Sequence, residues 1–345
     1  MLIFIFTISL IISLVMIVTA PYQNVLRYKR HSGPQQLHSG YIPRLGGIAC
    51  FAGLLAGYML SDFEIQAVFF GLLIAVVPVF LIGLTEDITA LIAPKIRLVV
   101  AVLTGVIFIM VTGISITRVN VDQFDWLLQI SWISFFVTVL AITTLTNAVN
   151  IIDGLNGLSI GTCIIMAGAV GIIAAYANDS QLYLLAMIFI ASMLGCFVIN
   201  YPLGRIFIGD GGAYLMGAIV AMLTILLSER NPEISPFASL IIVFYPFYEL
   251  VRSTVRRKLA GRNTMAPDKR HLHSLVFAYI SRFSQMTDTG ANSLSAAIIW
   301  LLPCFCVAVA VSVPYQTIWL CVGIIMFIIM YELANLWLKK QMSRR

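Results

Sequence analysis

The sequence predicts an all-α fold, a polytopic bundle of about eleven transmembrane helices. Sixty per cent of the 345 residues are hydrophobic, only 10% are Asp, Glu, Lys or Arg, and the mean hydropathy is +0.98. A soluble globular protein needs far more polar surface than this composition supplies. The apolar residues form unbroken runs of about 17 to 22 residues, the length of a membrane-crossing helix, whereas the strands of a membrane barrel would alternate over about ten.

Eleven apolar runs follow one another along the chain. They fall at roughly 1–20, 45–61, 66–84, 97–116, 126–146, 157–177, 182–200, 212–228, 236–252, 293–312 and 317–338. The first run lacks the preceding basic residues of a cleavable signal peptide, so we interpret it as an uncleaved helix. No stretch of the sequence has the composition of a separate soluble domain, and residues 1–345 are therefore predicted to form a single integral membrane domain.

Lysine and arginine are distributed unevenly between the loops. All 21 except Arg118 and Arg230 lie in or next to the C-terminal tail and four alternate loops, at about 21–44, 85–97, 201–211 and 253–292. Such loops stay in the cytoplasm, which predicts an outside N-terminus and a cytoplasmic C-terminus. The same asymmetry accounts for the net charge of +6, so we expect membrane lipid as a partner and no nucleic acid.

The candidate functional residues are polar residues that interrupt or end the apolar runs. They form three clusters, Glu86 with Asp87, the segment 147–157 and the segment 209–212, all on the predicted cytoplasmic side. A charge beside hydrocarbon is costly, so acids that recur there indicate function. Together with the basic loops, these clusters are typical of a site where a charged substrate meets a lipid.

The segment 147–157 carries its polar side chains at a helical spacing. Asn147, Asn150 and Asp153 recur every three residues, which places them along one helical face before Gly154 breaks the helix. Such a face suits a metal ion, a uracil edge or a sugar amide. The alternative is hydrogen bonding between packed helices, a common use of Asn in membranes.

The remaining acids suit a magnesium site. Asp210 stands between glycines at the start of a predicted helix, where it can hold a divalent cation while backbone N–H groups face an anion. Magnesium is normally held by one or two carboxylates together with substrate phosphates, so Glu86 or Asp87 would supply a second acid. The alternatives are helix capping by Asp210 and a solvated acidic end of the preceding helix.

Cations and histidines on two loops complete the candidate site. Lys95 and Arg97 are able to contact phosphate or to orient their own loop. Arg270, His271 and His273 suit a diphosphate better than zinc, because no Cys or third close ligand completes a tetrahedral set. A merely basic loop beside the membrane is the alternative.

The segment before the second apolar run is a further candidate. His38, Arg44, Gly46 and Gly47 lie on a turn that leads into that run from the predicted cytoplasmic side. The two glycines have a plain alternative, which is to let two helices approach closely.

These residues form an ordered set that resembles the polyprenyl-phosphate N-acetylhexosamine-1-phosphate transferases. The resemblance extends over about 38–273, and its strength lies in the conjunction of the motifs. The motifs are His38-x-Gly40-x-x-Pro43-x-x-Gly46-Gly47, Gly83-x-x-Glu86-Asp87, Asn147-x-x-Asn150-x-x-Asp153-Gly154-x-x-Gly157, Phe207-x-Gly209-Asp210 and Asp268-x-x-His271-Leu272-His273.

The resemblance implies transfer of an N-acetylhexosamine 1-phosphate, foremost GlcNAc-1-phosphate, from a UDP-sugar to undecaprenyl phosphate, with release of UMP. It implies magnesium as cofactor, with manganese as a substitute, held by Asp210 with help from Asp87, and direct attack by the lipid phosphate. It also implies the bacterial inner membrane and admits a homodimer. The catalytic residues that carry over are Glu86, Asp87, Asp153 and Asp210; the substrate-binding residues are His38, Arg44, Gly46, Gly47, Lys95, Asn147, Asn150, Asn156, Gly209, Arg270, His271 and His273.

Three positions depart from the family pattern. Glu86 replaces an Asp, Asn156 stands at the second acid of its motif, and Ser274 stands where a third His is common. These departures argue against peptidoglycan synthesis and favour the start of O-antigen, capsule or another surface glycan. The count of eleven helices fits the GlcNAc-1-phosphate transferase branch of the family. A transporter or lipid scramblase and an inactive assembly partner of a glycan pathway are the competing hypotheses. Acids confined to one membrane edge disfavour the first, and the retained acids disfavour the second.

Overall fold

The computed structural model describes residues 1–20, 42–261 and 270–343, and within these ranges the chain is helical without β-strands. This confirms the predicted all-α membrane bundle. The helices are α1 (Leu2–Thr19), α2 (Gly46–Met59), α3 (Phe63–Thr89), α4 (Pro94–Thr112), α5 (Asp122–Leu128), α6 (Ser131–Ile152), α7 (Leu158–Tyr176), α8 (Ser180–Asn200), α9 (Gly209–Arg230), α10 (Pro236–Ile242), α11 (Phe244–Leu259), α12 (Leu272–Phe283), α13 (Asp288–Ser312) and α14 (Thr317–Ser343).

Nine helices of the described ranges are long and apolar enough to cross a bilayer, and α10 with α11 makes a tenth if this pair counts as one span. The axes of α10 and α11 are bent by 71° at the break around Val243. The predicted span at 45–61 corresponds to α2, which has only 14 residues. At 1.5 Å per residue α2 is about 21 Å long, shorter than the ~30 Å hydrocarbon core. The predicted count of eleven spans is therefore not confirmed.

The predicted loop at 253–292 is helical for much of its described length. Helix α11 continues to Leu259, α12 occupies Leu272–Phe283, and α13 begins at Asp288. Both α11 and α12 are amphipathic, with apolar residues on one side and polar residues on the other. A search for membrane-length apolar runs passes over such helices because half of their surface is polar.

Helix α9 lies at the centre of the bundle. Nineteen of its 22 residues are buried, and it packs against α2, α3, α6, α7 and α10. A helix that is apolar on all sides is covered by its neighbours. Its small residues let those neighbours approach: a Cβ at Gly217 would lie 2.9 Å from the carbonyl oxygen of Leu145 on α6. The surrounding helices therefore determine where the first turn of α9 lies.

Alternating helix directions bring the predicted polar clusters together at one end of the bundle, which we call the polar end. It comprises the last turns of α3, α6 and α8 and the first turns of α4, α7 and α9, which are joined by side-chain hydrogen bonds. The opposite end has contacts of its own. There Arg230 lies 2.8 Å from Asp179, and Arg118 donates to the carbonyl oxygens of Ser228 and Asn231.

Candidate active site

Asp87, in the last turn of α3, caps the start of α9. Its Oδ1 accepts the backbone N–H of Asp210 and its Oδ2 accepts that of Gly211, both at 2.9 Å. These are two of the N–H groups that a helix cannot satisfy within itself. The N-cap residue Ile208 supplies no side-chain bond, and neither does Asp210, so the alternative of capping by Asp210 is wrong. The anion that faces these N–H groups is a carboxylate of the protein.

The glycines of this region are required by close packing between α2, α3 and α9. A Cβ at Gly47 would lie 2.5 Å from the backbone nitrogen of Gly212, and a Cβ at Gly46 would lie 2.9 Å from the carbonyl oxygen of Phe207. Gly209 has φ +76°, and its Cβ would collide with the carbonyl oxygen of Arg44 and the carboxylate of Asp87. The packing alternative for these glycines is confirmed, and their contact with substrate stays a prediction.

Three carboxylates and two arginines form what we call the acidic cluster: Glu86, Asp87, Asp210, Arg44 and Arg97. Arg97 Nη1 contacts Asp210 Oδ2 and lies 4.0 Å from Glu86 Oε1. Arg44 Nη2 lies 3.3 Å from Asp210 Oδ1, and its Nε lies 3.6 Å from Asp87 Oδ1. The Arg44 side chain is 47% exposed and that of Asp87 only 2%. The cluster therefore places one solvent-facing cation, Arg44, and one largely buried cation, Arg97, beside acids of unequal exposure.

Glu86 contacts the α3–α4 loop, and two basic residues follow that loop in the first turn of α4. Glu86 Oε2 accepts the backbone N–H of Ile92 at 2.8 Å, which orders this loop, and its side chain stays 20% exposed. Lys95, in the first turn of α4, is exposed. Arg97, two residues further along α4, is the cation that reaches Asp210.

Asp153 is the C-cap residue that follows Ile152, so α6 ends one residue before the helical face predicted to carry it. Its carboxylate accepts the hydroxyl of Ser159 at 2.5 Å. Burial raises the pKa of Asp153 to about 6; the Ser159 hydrogen bond and the nearby Arg44 oppose that rise, and Asp210 adds to it. Charges of the acidic cluster therefore influence the pKa of Asp153, although Asp153 belongs to a different turn.

The other polar residues of the 147–157 segment divide into two groups. Asn147 and Asn150 are partly buried on α6, and Asn147 Nδ2 donates back to the carbonyl oxygen of Thr143 at 2.8 Å. Asn156 is 2% exposed, and its Nδ2 donates to the carbonyl oxygen of Pro202 at 3.3 Å. This interior position gives Asn156 a structural role between two loops, so contact with uracil is disfavoured for it.

Two further asparagines, absent from the sequence-based site, hold the same turn. Asn292 Oδ1 accepts the backbone N–H of Asn156 at 2.7 Å. Asn200 Oδ1 accepts the backbone N–H of Gly157 at 2.5 Å, while its Nδ2 donates to the carbonyl oxygen of Ile206 at 2.5 Å. Asn200 thereby ties the turn that contains Asp153 to the loop that precedes α9.

His273 lies against the α6–α7 turn, and the His271 ring stacks on it. Their rings are parallel, with centroids 5.4 Å apart and an interplanar angle of 4°. A Cβ on Gly154 would lie 2.9 Å from His273 Nε2. Burial lowers the pKa of His273 to about 4 despite the opposing effect of Glu249, so this ring is neutral near pH 7. Arg270 is exposed, and its backbone carbonyl oxygen accepts a hydrogen bond from Arg256 Nη1 at 3.2 Å.

The sequence-based site also missed Glu249, a buried carboxylate in α11 whose Oε1 lies 2.8 Å from His271 Nδ1. A lone acid within an apolar run was the available signal for it. One predicted site residue, His38, lies outside the described residues.

The acidic cluster fits magnesium by the chemistry of its donors. No three Asp, Glu, His or Cys side chains of the described part of the chain converge to hold a metal by themselves. Magnesium needs only one or two carboxylates, however, when substrate phosphates supply other oxygens. Both oxygens of Asp87 accept backbone N–H groups, whereas those of Asp210 face guanidinium groups on flexible side chains. Asp210 is therefore the carboxylate better suited to a cation, with Asp87 beside it.

The fold and this site together define a multi-pass membrane protein with a charged site at one end of its helix bundle. The model of Glycosyl transferase family 4 matches residues 69–228. The chain belongs to this family, as the motifs predicted. The matched range contains Glu86, Asp87, Asp153 and Asp210, and it ends before the histidine pair.

Curated relatives agree with this assignment. The chain is 27% identical over 298 residues, covering 86% of this chain and 80% of the relative, to the probable undecaprenyl-phosphate N-acetylglucosaminyl 1-phosphate transferase of Bacillus subtilis (strain 168). It is 30% identical over 268 residues to the undecaprenyl-phosphate alpha-N-acetylglucosaminyl 1-phosphate transferase of Salmonella typhi, covering 76% and 72% of the two chains. The Escherichia coli (strain K12) protein of the same name is 28% identical with the same coverage.

Proposed function

We propose that this protein transfers an N-acetylhexosamine 1-phosphate, foremost GlcNAc-1-phosphate, from a UDP-sugar to undecaprenyl phosphate and releases UMP. The names of the relatives support the reaction. The observation that carries it is the pairing of Asp87 and Asp210 at the first turn of α9, bordered by Arg44 and Arg97. This is an acidic and basic site able to hold two phosphate-bearing substrates and a divalent cation.

The reaction exchanges one phosphoanhydride bond for another. An oxygen of the lipid phosphate attacks the β-phosphorus of the UDP-sugar, and the bond from that phosphorus to the bridging oxygen breaks. The bridging oxygen leaves as part of UMP, and the lipid carries a diphosphate sugar. A phosphate monoester has its second pKa near 6 and is already largely ionised at neutral pH. Direct attack therefore needs no covalent intermediate on an aspartate.

Asp210 would hold the magnesium ion, with Asp87 beside it, and manganese would be a substitute. When bound, the ion would neutralise charge on the diphosphate of the donor. Arg44 and Arg97 would release Asp210 and turn to phosphate oxygens, which their fork of N–H donors suits. Asp87, nearly unexposed and occupied by two backbone N–H groups, would fix the position of Asp210. Glu86, with its more exposed side chain, is the better candidate for orienting the lipid phosphate.

The remaining predicted residues would surround the donor. Asn147, Asn150 and Asp153 would lie near the nucleotide, and His271 with His273 near the diphosphate. Lys95 and Arg270, both exposed, and His38 would attract phosphate groups.

The positive-inside distribution supports a cytoplasmic polar end in the bacterial inner membrane, with the N-terminus outside. The product would then form on the side where UDP-sugars are made, as the first intermediate of a lipid-linked surface glycan. We treat residues 1–345 as one functional domain and a homodimer as its candidate oligomer.

Radiolabel transfer tests the proposal. Purified protein in detergent receives undecaprenyl phosphate, magnesium and each of several labelled UDP-N-acetylhexosamines, and label is followed into the organic phase with and without EDTA. We expect lipid labelling only with free metal and mainly from UDP-GlcNAc. Absence of transfer from every donor, while a related transferase works in the same assay, would contradict the proposal and favour a transport or assembly role.

A matched pair of variants assigns the activity to the site. Asp210→Asn should lose most turnover while it keeps the wild-type unfolding temperature. Asp62→Asn makes the same chemical change on an exposed residue at the other end of α3 and should transfer like the wild type. Equal activity of the two variants would show that transfer does not depend on the carboxylate of Asp210.

A further inference from the structure

Glu249 is a buried carboxylate contacted by three donor groups from two other parts of the chain, α14 and the start of α12. It lies on α11 and is 1% exposed. Its Oε2 accepts the hydroxyl of Tyr331 on α14 at 2.5 Å, and its Oε1 accepts the backbone N–H of Leu272 at 3.1 Å. The same Oε1 lies 2.8 Å from Nδ1 of His271. Glu249 thus joins α11 and α14 to the first turn of α12.

The chemistry of these groups determines which nitrogen of His271 carries hydrogen. A backbone N–H can only donate, so the atom that faces Leu272 N–H is an acceptor. An acceptor at Oε1 requires His271 Nδ1 to be the protonated nitrogen. In the neutral ring, Nε2 on the opposite edge is then the nitrogen without hydrogen, and it can accept a hydrogen bond. Among the described residues, the hydrogen bonds of the His271 ring involve Nδ1 alone.

The same contacts fix where the ring lies. His271 is the N-cap residue of α12, and Glu249 binds both its ring and the N–H of the next residue. The His273 ring lies parallel to that of His271, and His273 packs against Gly154 in the α6–α7 turn. One carboxylate therefore sets the place of both imidazoles relative to the turn that carries Asp153.

We propose that Glu249 is a positioning residue for sugar-phosphate transfer, which holds His271 in its Nδ1–H form and leaves Nε2 to face the donor diphosphate. The inference rests on the proposed function. Glu249 itself touches no substrate in this scheme. A buried carboxylate is costly unless its oxygens are hydrogen-bonded, and this orienting role accounts for a carboxylate buried next to His271.

Nitrogen NMR of the wild-type protein tests the tautomer without any turnover. The sequence has four histidines, so ¹⁵N-histidine labelling gives few signals, and a His271→Asn variant assigns the one of interest. We expect the ¹⁵N shifts of His271 to show hydrogen on Nδ1 and none on Nε2. A neutral His271 with hydrogen on Nε2 would overturn the proposal. Because no variant of Glu249 is needed, failure of such a variant to fold does not affect this measurement.

Kinetics test the functional part. Glu249→Gln keeps the shape of the side chain, but its amide cannot accept on both sides. We expect kcat to fall on the order of 10- to 100-fold, as is typical when a functional histidine loses its orienting partner. The KM for undecaprenyl phosphate should stay near the wild-type value. Tyr331→Phe is the matched control, because it removes a bond to Oε2 and leaves both contacts of Oε1; it should keep most of kcat.

A double-mutant cycle separates positioning from general damage. If Glu249 acts through His271, adding Glu249→Gln to His271→Ala should cause no further loss of kcat. The same fold-loss in both backgrounds would overturn the proposal. If the wild type transfers no sugar phosphate while the NMR signals show the expected tautomer, the arrangement stands and the proposed reaction alone fails.

Discussion

The carboxylate of Asp87 accepts the backbone N–H of Asp210 at 2.9 Å, although the two acids are 123 positions apart in the chain. Two neighbouring carboxylates repel each other in water. Here the charge of Asp87 is matched by the N–H groups and the positive end of the dipole at the start of α9. Asp210 can therefore face the arginines beside Asp87 at a lower electrostatic cost. One acid completes the helix, and the other is presented to ligands.

Asp87→Asn should destabilise the protein as well as inactivate it. An Asn side chain accepts with one oxygen only, so the N–H of Asp210 or of Gly211 would face an amide nitrogen. An unsatisfied buried donor costs ~1–3 kcal/mol. We expect a lower unfolding temperature in detergent together with a loss of transfer.

Asp210→Asn provides the comparison, because it removes a charge from the same cluster without removing a helix cap. That variant should unfold at the wild-type temperature. An Asp87→Asn protein that is as stable as Asp210→Asn would show that the capping contact contributes nothing to folding.

Gly47→Ala should separate α2 from α9. The added methyl carbon would lie 2.5 Å from the nitrogen and 2.7 Å from the Cα of Gly212, and backbone atoms cannot rotate away. Overpacking of this kind costs ~1–3 kcal/mol. We expect a lower unfolding temperature and reduced transfer, because the displaced turn carries Asp210.

Gly168→Ala is the matched control for this change. It lies inside α7, and no atom stands within 4 Å of its added Cβ. Alanine favours a helix over glycine by up to ~1 kcal/mol, so this variant should be as stable as the wild type or more stable. Similar losses in both variants would indicate a general sensitivity of the helices and no special contact at Gly47.

Much of the fold could be predicted because hydrophobic length and the distribution of cations are local properties of the sequence. Alternating spans then required the clusters around Asp87, Asp153 and Asp210 to share one end of the bundle. The bend between α10 and α11 and the helix α12 were missed, since amphipathic segments carry no membrane-length apolar run.

The chemistry within the site was less accessible to sequence reasoning. Which acid caps α9 depends on a contact between α3 and α9, and no local pattern around Asp87 encodes its partner. The interior position of Asn156 likewise depends on its contact with the loop around Pro202. The link from Glu249 to His271 depends on how α11 packs against the start of α12. Residue type identified Asp87, Asn156 and His271 as candidates and missed Glu249, and only packing distinguishes a ligand contact from a structural one.

Asn200→Asp should loosen two loops at once. The new oxygen in place of Nδ2 would face the carbonyl oxygen of Ile206, so a hydrogen bond becomes a repulsive contact, while Oδ1 can still accept from Gly157. Asn200 is 3% exposed, and loss of such a buried bond costs ~1–3 kcal/mol. Both the unfolding temperature and the rate of transfer should fall.

Asn178→Asp introduces the same charge at an exposed position near the opposite end of the bundle and serves as the control. Its left-handed backbone, with φ +60°, is tolerated by Asp as it is by Asn. We expect wild-type stability and transfer. If Asn200→Asp behaves like this control, then Asn200 does not hold the loops together.

Asp153 should make stability depend on pH in the acidic range. Its folded-state pKa of about 6 lies above the ordinary value of 3.8, because burial outweighs the Ser159 hydrogen bond and Arg44. The fold therefore prefers the protonated carboxyl. This contribution is present in full below about pH 4 and is lost as the pH rises through about 6. We expect this contribution to the free energy of unfolding to be on the order of 1 to 3 kcal/mol.

Unfolding temperatures of the wild type and of Asp153→Asn, measured in EDTA from pH 4 to pH 8, isolate this effect from other titrating groups. The stability of the wild type relative to the variant should decrease between about pH 4 and pH 6 and then level off. Ser159→Ala removes a hydrogen bond that lowers the pKa of Asp153, so the decrease should extend to higher pH. A difference between wild type and Asp153→Asn that stays constant, or that grows as the pH rises, would mean that Asp153 is ionised in the folded protein throughout this range.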